Sequence, residues 1–332
     1  MERSRGMKLF RRVCCAGGLA GIAAVAALWL HSGAYGFHML VRHGGSYWLP
    51  LGTDSSLLSP AMRRALAEAP SVKAGAVRWQ SIGIGFEVAE MPVMAGDDEV
   101  DRIELARIDP ARIDPARFRF VLRNAPAGDK DLDAWMTELG AGLVVNGSYF
   151  STHGRPATPF LSDGVQLGPR DYDARAGAFV ASTGFVGIRD LRRSDWQTAF
   201  QGAENAMVSY PLLVADGLEQ VAHPSRWLAS RSFVGQDAAG RIIIGTTRDA
   251  FFSLDRLARF LRDAPLALTM ALNLDGGPVA CQGIALNGFT RKTYGKWEAQ
   301  VEGGRVKLLS YPYGGAAPMP IVLAVLPRED DR

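Results

Sequence analysis

The chain is short of the residues on which many catalytic scaffolds depend. Three cysteines occur in 332 residues, and two of them, Cys14 and Cys15, lie in an N-terminal apolar stretch. Cys281 is left alone in the body, so an intramolecular disulfide in the folded part is excluded. A lone thiol of this kind is more often a small buried hydrophobe than a nucleophile. Of five histidines, His31, His38 and His43 precede the main body, leaving His153 and His223, too few for a three-histidine zinc centre. No G-x-S-x-G elbow is present, which removes support for an α/β-hydrolase triad. An excess of one charge is missing as well. The net charge is +3, but residues 1–12 hold Arg3, Arg5, Lys8, Arg11 and Arg12 against Glu2, a net of +4, which leaves the remainder at −1. A near-neutral body has no electrostatic footprint for nucleic acid, so no nucleic-acid partner is expected.

What is present is an ordinary globular composition, 48% hydrophobic and 21% charged. Behind the basic n-region of residues 1–12 lies an apolar run of 18 residues, 13–30. It is just long enough to span a bilayer. The positive flank predicts a cytoplasmic N-terminus with the rest exported. Ser32-Gly33-Ala34 resembles a signal peptidase site, so two outcomes stay open: a membrane-anchored extracytoplasmic body, or a secreted or periplasmic one after cleavage near Ala34. Residues 31–76 read as a spacer, broken by Gly44-Gly45 and Pro50, with a short helix over Pro60–Ala69.

From Val77 the texture changes. Trp79–Ala89, Val100–Ile108 and Arg117–Arg123 read as strands. Ala106–Pro110 is repeated at once by Ala111–Pro115, a small tandem duplication whose Asp-Pro steps stop strands. Leu132–Leu139 reads as a helix capped by Asp131, and Ser253–Arg262 as a second. Gly142–Phe150, Gly177–Val180, Phe185–Ile188, Met207–Val214, Ser232–Val234, Arg241–Gly245, Ala267–Leu274, Val279–Leu286 and Pro320–Val325 read as further strands. The expectation is one α+β domain over residues 77–327, with a large, mainly antiparallel sheet system, a few helices and a charged tail at 328–332.

Two strand ends carry the strongest chemical signals. Ala271–Leu274 delivers Asp275, followed by Gly276 and Gly277, and bare glycine backbone beside a carboxylate suits an anionic or sugar ligand. Leu143–Val145 delivers Asn146, followed by Gly147, Ser148, Tyr149 and Phe150. An amide that both donates and accepts suits sugar hydroxyls or phosphate oxygens. Each could equally be a simple turn between strands. Arg231 opens the strand pair before Arg241–Gly245, either as a phosphate-binding fork or as a solvated surface arginine. Tyr210–Gly217 adds a strand with an Asp-Gly turn.

Taken in order, Asn146–Phe150, Pro211–Gly217, Arg231 and Asn273–Gly277 resemble the segments of the phosphodiester glycosidase family, the uncovering-enzyme-type domain, over roughly Trp79 to Leu326. Two departures stand out: Ser148 where the family usually has glycine, and Pro278-Val279 where it usually continues Gly-Ser. The resemblance implies hydrolytic removal of a sugar, of the N-acetylglucosamine type, from a phosphodiester by C–O cleavage. It implies Asp275 as general base or electrostatic stabiliser, Arg231 as phosphate holder, Asn146 and Asn273 as sugar-orienting groups, and contacts from Gly147, Ser148, Tyr149, Gly276 and Gly277. The diester partner is left open between glycolipid, envelope polymer and small metabolite. No cofactor is required; a divalent cation at Asp275 is left open, with no second ligand named. Two rival readings are a non-catalytic envelope glycan-binding module and a metal-dependent phosphodiesterase cleaving P–O.

Overall fold

The computed structural model describes residues 17–27, 47–67, 71–112, 118–225, 227–310 and 317–327. The chain divides into two units, Met1–Leu49 and Pro50–Arg332. In the first, residues 17–27 are helical. Among the described residues no helix is long and apolar enough to cross a membrane, and the remainder of the expected span 13–30 lies outside them.

The second unit is built from antiparallel sheets. A nine-stranded sheet has Leu268–Asn273 and Ser232–Asp237 side by side, with Ile242–Thr247 and the long hairpin Phe86–Ala95/Asp98–Ile108 beyond them. A five-stranded sheet places Leu143–Asn146 at its centre, between Gln282–Leu286 and Ile321–Pro327. A second five-stranded sheet contains Gly177–Ser182 and Asn205–Ser209. Trp227–Ala229, Trp297–Glu302 and Arg305–Ser310 belong to a further sheet. The mainly antiparallel α+β architecture expected from the sequence is what is found.

Side-chain alternation explains why these strands read as near-continuous apolar runs. Leu143 and Val145 point into a core shared with Phe86, Phe160, Phe179, Val234, Leu272 and Leu323. Val144, from the opposite face, packs with Leu132, Trp135, Met136, Val322 and Cys281 under the helix Leu132–Leu139. Both faces are covered, so neither can be polar. That helix begins where expected: Asp131 Oδ1 accepts from the Ala134 N–H at 2.9 Å. Trp135 is buried and its Nε1 donates to the Met319 carbonyl at 2.7 Å, which fixes the helix to the end of the chain. Cys281 is a buried free thiol whose pKa burial pushes up to about 12, so it is inert packing.

The structure corrects several boundaries. Trp79–Ala89 is two strands separated by a turn at Ile84-Gly85. Met207–Val214 is also two, Asn205–Ser209 and Leu212–Ala215, in different sheets, because Pro211 has no N–H to continue a ladder. Val279–Leu286 begins as a 3₁₀ turn, Gly277–Val279, and becomes a strand only at Gln282. The described residues 50–67 and 71–76, expected as part of a spacer, carry regular structure. The helix Pro60–Ala67 buries Ala61, Met62 and Ala65, and Lys73–Ala74 pairs with Val93-Met94. Among the described residues this unit has four α-helices, and the short Trp196–Ala199 is the one not read from the sequence. The second Asp-Pro copy lies largely outside the described residues.

Truncating the fully enclosed Trp135 to alanine leaves a large void and an orphaned carbonyl. Trp135→Ala is expected to lower unfolding stability by about 3–5 kcal/mol, read by denaturant titration.

Candidate functional site

Two sheets meet where their strands end. The Asn146 side-chain Nδ2 donates to the Asp275 carbonyl at 2.8 Å, and the Asp275 N–H donates to the Gly147 carbonyl at 3.0 Å. This reciprocal pair joins the end of Leu143–Asn146 to the end of Leu268–Asn273. Gly147 is needed for the approach, since a Cβ there would lie 2.4 Å from Ile321 Cγ2. Asn273 completes the junction: its Nδ2 donates to the Tyr149 hydroxyl at 2.8 Å and to the Leu274 carbonyl at 2.6 Å. The Tyr149 hydroxyl in turn donates to the Tyr210 carbonyl at 2.8 Å, and the two rings stack with centroids 4.3 Å apart. Both asparagines are buried, and each keeps its Oδ1 without a donor. An unsatisfied buried acceptor costs about 1–3 kcal/mol.

Arg231 is delivered by the strand beside Asn273. The register pairs Phe233 with Asn273, and the Leu274 N–H donates to the Ser232 carbonyl at 2.9 Å. Arg231 is 5% exposed, so it is no solvated surface arginine. Nε donates to the Phe252 carbonyl at 3.3 Å and Nη2 to the Trp227 carbonyl at 2.9 Å. Among the described residues no carboxylate pairs with it directly. Its Nη1 lies beside Gly276, where an added Cβ would come within 3.2 Å.

A second carboxylate completes the cluster. Glu298, half-buried on Trp297–Glu302, reaches Gly277: a Cβ there would fall 2.8 Å from Glu298 Oε2. Gly277 has φ +73°, which glycine alone adopts without strain, so it supplies both the turn and the clearance. The run Asp275-Gly276-Gly277 thus passes Arg231 and then Glu298 in successive residues.

The electrostatics follow from this crowding. Burial raises the Asp275 carboxyl, and Glu298 raises it further; the Gly276 N–H, donating to Asp275 Oδ1 at 2.8 Å, and Arg231 pull the other way, leaving it at about 7. Burial also raises Glu298, against the attraction of Arg231. Arg231 is lowered by burial, opposed chiefly by Glu298 and then by Tyr149 and Asp275. The Tyr149 phenol is raised by burial and by Asp275, and so is that of Tyr210, which places both phenols within electrostatic reach of that carboxylate.

Among the residues proposed from sequence, Asn146, Gly147, Tyr149, Arg231, Asn273, Asp275, Gly276 and Gly277 are brought together. Ser148 stands apart: it is buried, and its hydroxyl accepts from Thr158 Oγ1 at 3.3 Å. Glu298 and Tyr210 were not read from the sequence. Trp297–Glu302 alternates like a strand with one solvated face, and Tyr210 was absorbed into a longer strand; neither is marked by a glycine or Asp-Gly step of its own. Among the described residues there is no group of three or more His, Cys, Asp or Glu arranged to hold a metal ion. A cavity of about 380 Å³ abuts Tyr210, bordered by Tyr172, Arg175 and Gln220. A larger one, about 540 Å³, lies between Asp109–Ala111 and the hairpin Ser182–Phe185 and contains none of the clustered residues.

Residues 140–301 match the family model described as phosphodiester glycosidase, an interval that contains Asn146, Arg231, Asp275 and Glu298. Among solved structures, the zebrafish N-acetylglucosamine-1-phosphodiester alpha-N-acetylglucosaminidase catalytic domain, auto-inhibited by its pro-peptide, aligns with a TM-score of 0.54 at 18% identity, covering 78% of this chain and 89% of that one. At that identity the likeness establishes a shared fold. A hypothetical protein from Synechocystis aligns with a TM-score of 0.43 at 14% identity, covering 71% of this chain and 64% of that one. No curated protein sequence matches the chain. Over residues 140–301, therefore, the resemblance read from four short motifs is established as a match to the phosphodiester glycosidase family.

Proposed function

We propose that this chain hydrolyses a sugar phosphodiester at the sugar C–O bond, releasing the sugar and a phosphomonoester. At the level of the family, the match supports a hydrolase acting on phosphodiester-linked sugar. The observation that carries the finer reading is the convergence of Asp275 and buried Arg231 at one sheet junction, with no carboxylate pairing directly with the guanidinium. A buried guanidinium with no directly paired carboxylate keeps donor capacity for an anion at its Nη1 edge, and a phosphodiester supplies one charge there. The Arg231 Nη1 edge beside Gly276 is the proposed phosphate contact.

Asp275 is proposed as the base that takes a proton from the attacking water. A carboxyl at about 7 is suited to this at neutral pH, because it is substantially ionised yet still accepts a proton readily. Asn146 and Asn273 act mainly as positioning residues, since their amide N–H groups are already committed to the Asp275 carbonyl and to Tyr149. The stacked Tyr149 and Tyr210 form an apolar wall suited to one face of a pyranose ring, of the N-acetylglucosamine type. We further propose that this body acts outside the cytoplasm, from the basic flank and apolar run at residues 1–30.

Turnover of an α-N-acetylglucosaminyl phosphodiester in ¹⁸O-water tests the reaction. Label on the sugar is the expected result. Label on phosphate would replace the reading with a phosphodiesterase, and binding without turnover would replace it with a glycan-binding module. Asp275→Asn is expected to lower kcat by about 10²–10⁴-fold, and wild-type activity in that variant would remove Asp275 from the mechanism.

The wild-type kcat/KM is expected to fall as pH drops through about 7, as the base becomes protonated. A pH–rate series on the same diester checks this, and an acid limb unchanged by Asp275→Asn would reject the assignment.

The same shift has a stability consequence of opposite sense. Because the folded carboxyl holds its proton more tightly than the unfolded one, its contribution is fully present below about pH 4 and is lost as pH rises through about 7. Asp275→Asn should therefore be nearly neutral at pH 4 and stabilising at pH 8. At about 1.4 kcal/mol per unit, the shift from 3.8 to about 7 bounds the gain at about 4 kcal/mol. Thermal unfolding at the two pH values reads it.

A further inference from the structure

Glu298 is the one ionisable group at this junction with no role in the reading above. Its position is tightly determined. The register pairs Glu298 with Ala229, two residues before Arg231. The Ser230 N–H donates to the Trp297 carbonyl at 2.9 Å, and the Gly277 N–H donates to the Ser230 carbonyl at 2.8 Å. Three chain segments are thereby stacked in contact, and Glu298 Oε2 comes to the bare face of Gly277 while Arg231 Nη1 comes to Gly276.

Charge accounting decides the protonation of the pair. A bound phosphodiester carries one negative charge, and Arg231 carries one positive charge. With both carboxylates ionised the cluster would hold a net charge of −2 in a poorly solvated place, so one proton is retained. It belongs on Glu298. Asp275 accepts a backbone N–H from Gly276 that favours its ionised form, whereas the Glu298 carboxyl is shifted by burial and by Arg231, with no hydrogen bond among the causes. Arg231, which couples to Glu298 more strongly than to Asp275, opposes that proton in the free protein, and a phosphodiester bound at Arg231 cancels the opposition while lying on the Glu298 side.

We propose that Glu298 is a catalytic residue, the general acid that protonates the departing phosphate oxygen while Asp275 takes the proton of the attacking water. This rests on the phosphodiester-hydrolase reading. Water forms the new bond to the anomeric carbon and gives its proton to Asp275. The carbon–oxygen bond to phosphate breaks, its electron pair stays on the phosphate oxygen, and that oxygen receives the Glu298 proton. The products are the free sugar and a phosphomonoester, and transfer of the Asp275 proton to Glu298, directly or through water, restores the starting state. No further reactant is consumed.

The test compares two leaving groups on the full-length protein: an α-N-acetylglucosaminyl phosphodiester with a methyl aglycone, and α-N-acetylglucosaminyl fluoride, whose fluoride needs little protonation. Glu298→Gln is expected to lower kcat on the diester by about 10²–10⁴-fold, to leave fluoride hydrolysis within a few-fold of wild type, and to abolish the alkaline fall of kcat/KM on the diester. Circular dichroism and thermal unfolding check that the variant folds. Should it fail to fold, the wild-type profiles decide: an alkaline limb on the diester and none on the fluoride supports the assignment, and the same limb on both overturns it. Equal losses on both substrates, or a diester profile unchanged by the substitution, overturns the role of Glu298 while leaving the hydrolase reading intact. A wild-type protein that turns over neither substrate overturns the hydrolase reading and this assignment with it.

Discussion

The Asp275 backbone is held from both sides by one short stretch of another sheet: its carbonyl by the Asn146 amide and its N–H by the Gly147 carbonyl. Everything proposed for the site depends on this pair. Without it, the loop after Leu268–Asn273 would be free to carry the carboxylate away from Arg231 and Glu298. The two strands it joins belong to sheets that share a single core, with Val145 and Leu272 in the same cluster, so moving one end would require disrupting packed hydrocarbon. Interiors at that density resist such a shift. The asparagine therefore acts through geometry, converting the rigidity of two sheets into the placement of one carboxylate.

That rigidity comes with an electrostatic cost concentrated in a few atoms. Asn146 and Asn273 leave acceptor oxygens buried without donors, Arg231 is held between carbonyls with no carboxylate pairing with it directly, and Asp275 is held well above its usual range. Each departure alone destabilises the folded state. A second buried polar set, Glu104 with Arg248 and Arg291 near Asp101, is strained as well but is ion-paired; the junction differs in holding Arg231 without a direct ion pair, the pattern expected where function competes with stability.

Much of this was legible in the sequence because burial on both faces makes a strand uniformly apolar. Such a run ending in a polar residue and glycine marks a strand end, and Asn146, Asp275 and their glycines were found that way. The helices at Leu132–Leu139 and Leu254–Asp263 were equally plain, the first with its Asp131 cap and the second from the spacing of its apolar face. Glu298 was illegible for the converse reason. Its strand is half-exposed and alternates polar with apolar residues, as a strand with one solvated face does, and only pairing with Trp227–Ala229, some seventy residues earlier, gives the glutamate a place in the site. The break at Tyr210–Pro211 was missed because the flanking residues are apolar on both sides, although Pro211 itself carried the information.

The two departures from the family pattern bear differently on the site. Ser148 does not occupy the left-handed region, and its hydroxyl is engaged with Thr158, so the serine is accommodated without backbone strain. Pro278 falls inside the 3₁₀ turn Gly277–Val279, whose closing bond runs from the Ala280 N–H to the Gly277 carbonyl at 3.1 Å. That bond does not use the nitrogen that proline lacks a hydrogen on, and the fixed φ of proline suits the start of such a turn. A stiffer turn immediately after Gly276-Gly277 narrows the range of positions open to that backbone, and hence to the distances among Asp275, Arg231 and Glu298. The substitution that removes a donor from the loop therefore also restrains the loop, and the carboxylate pair inherits that restraint.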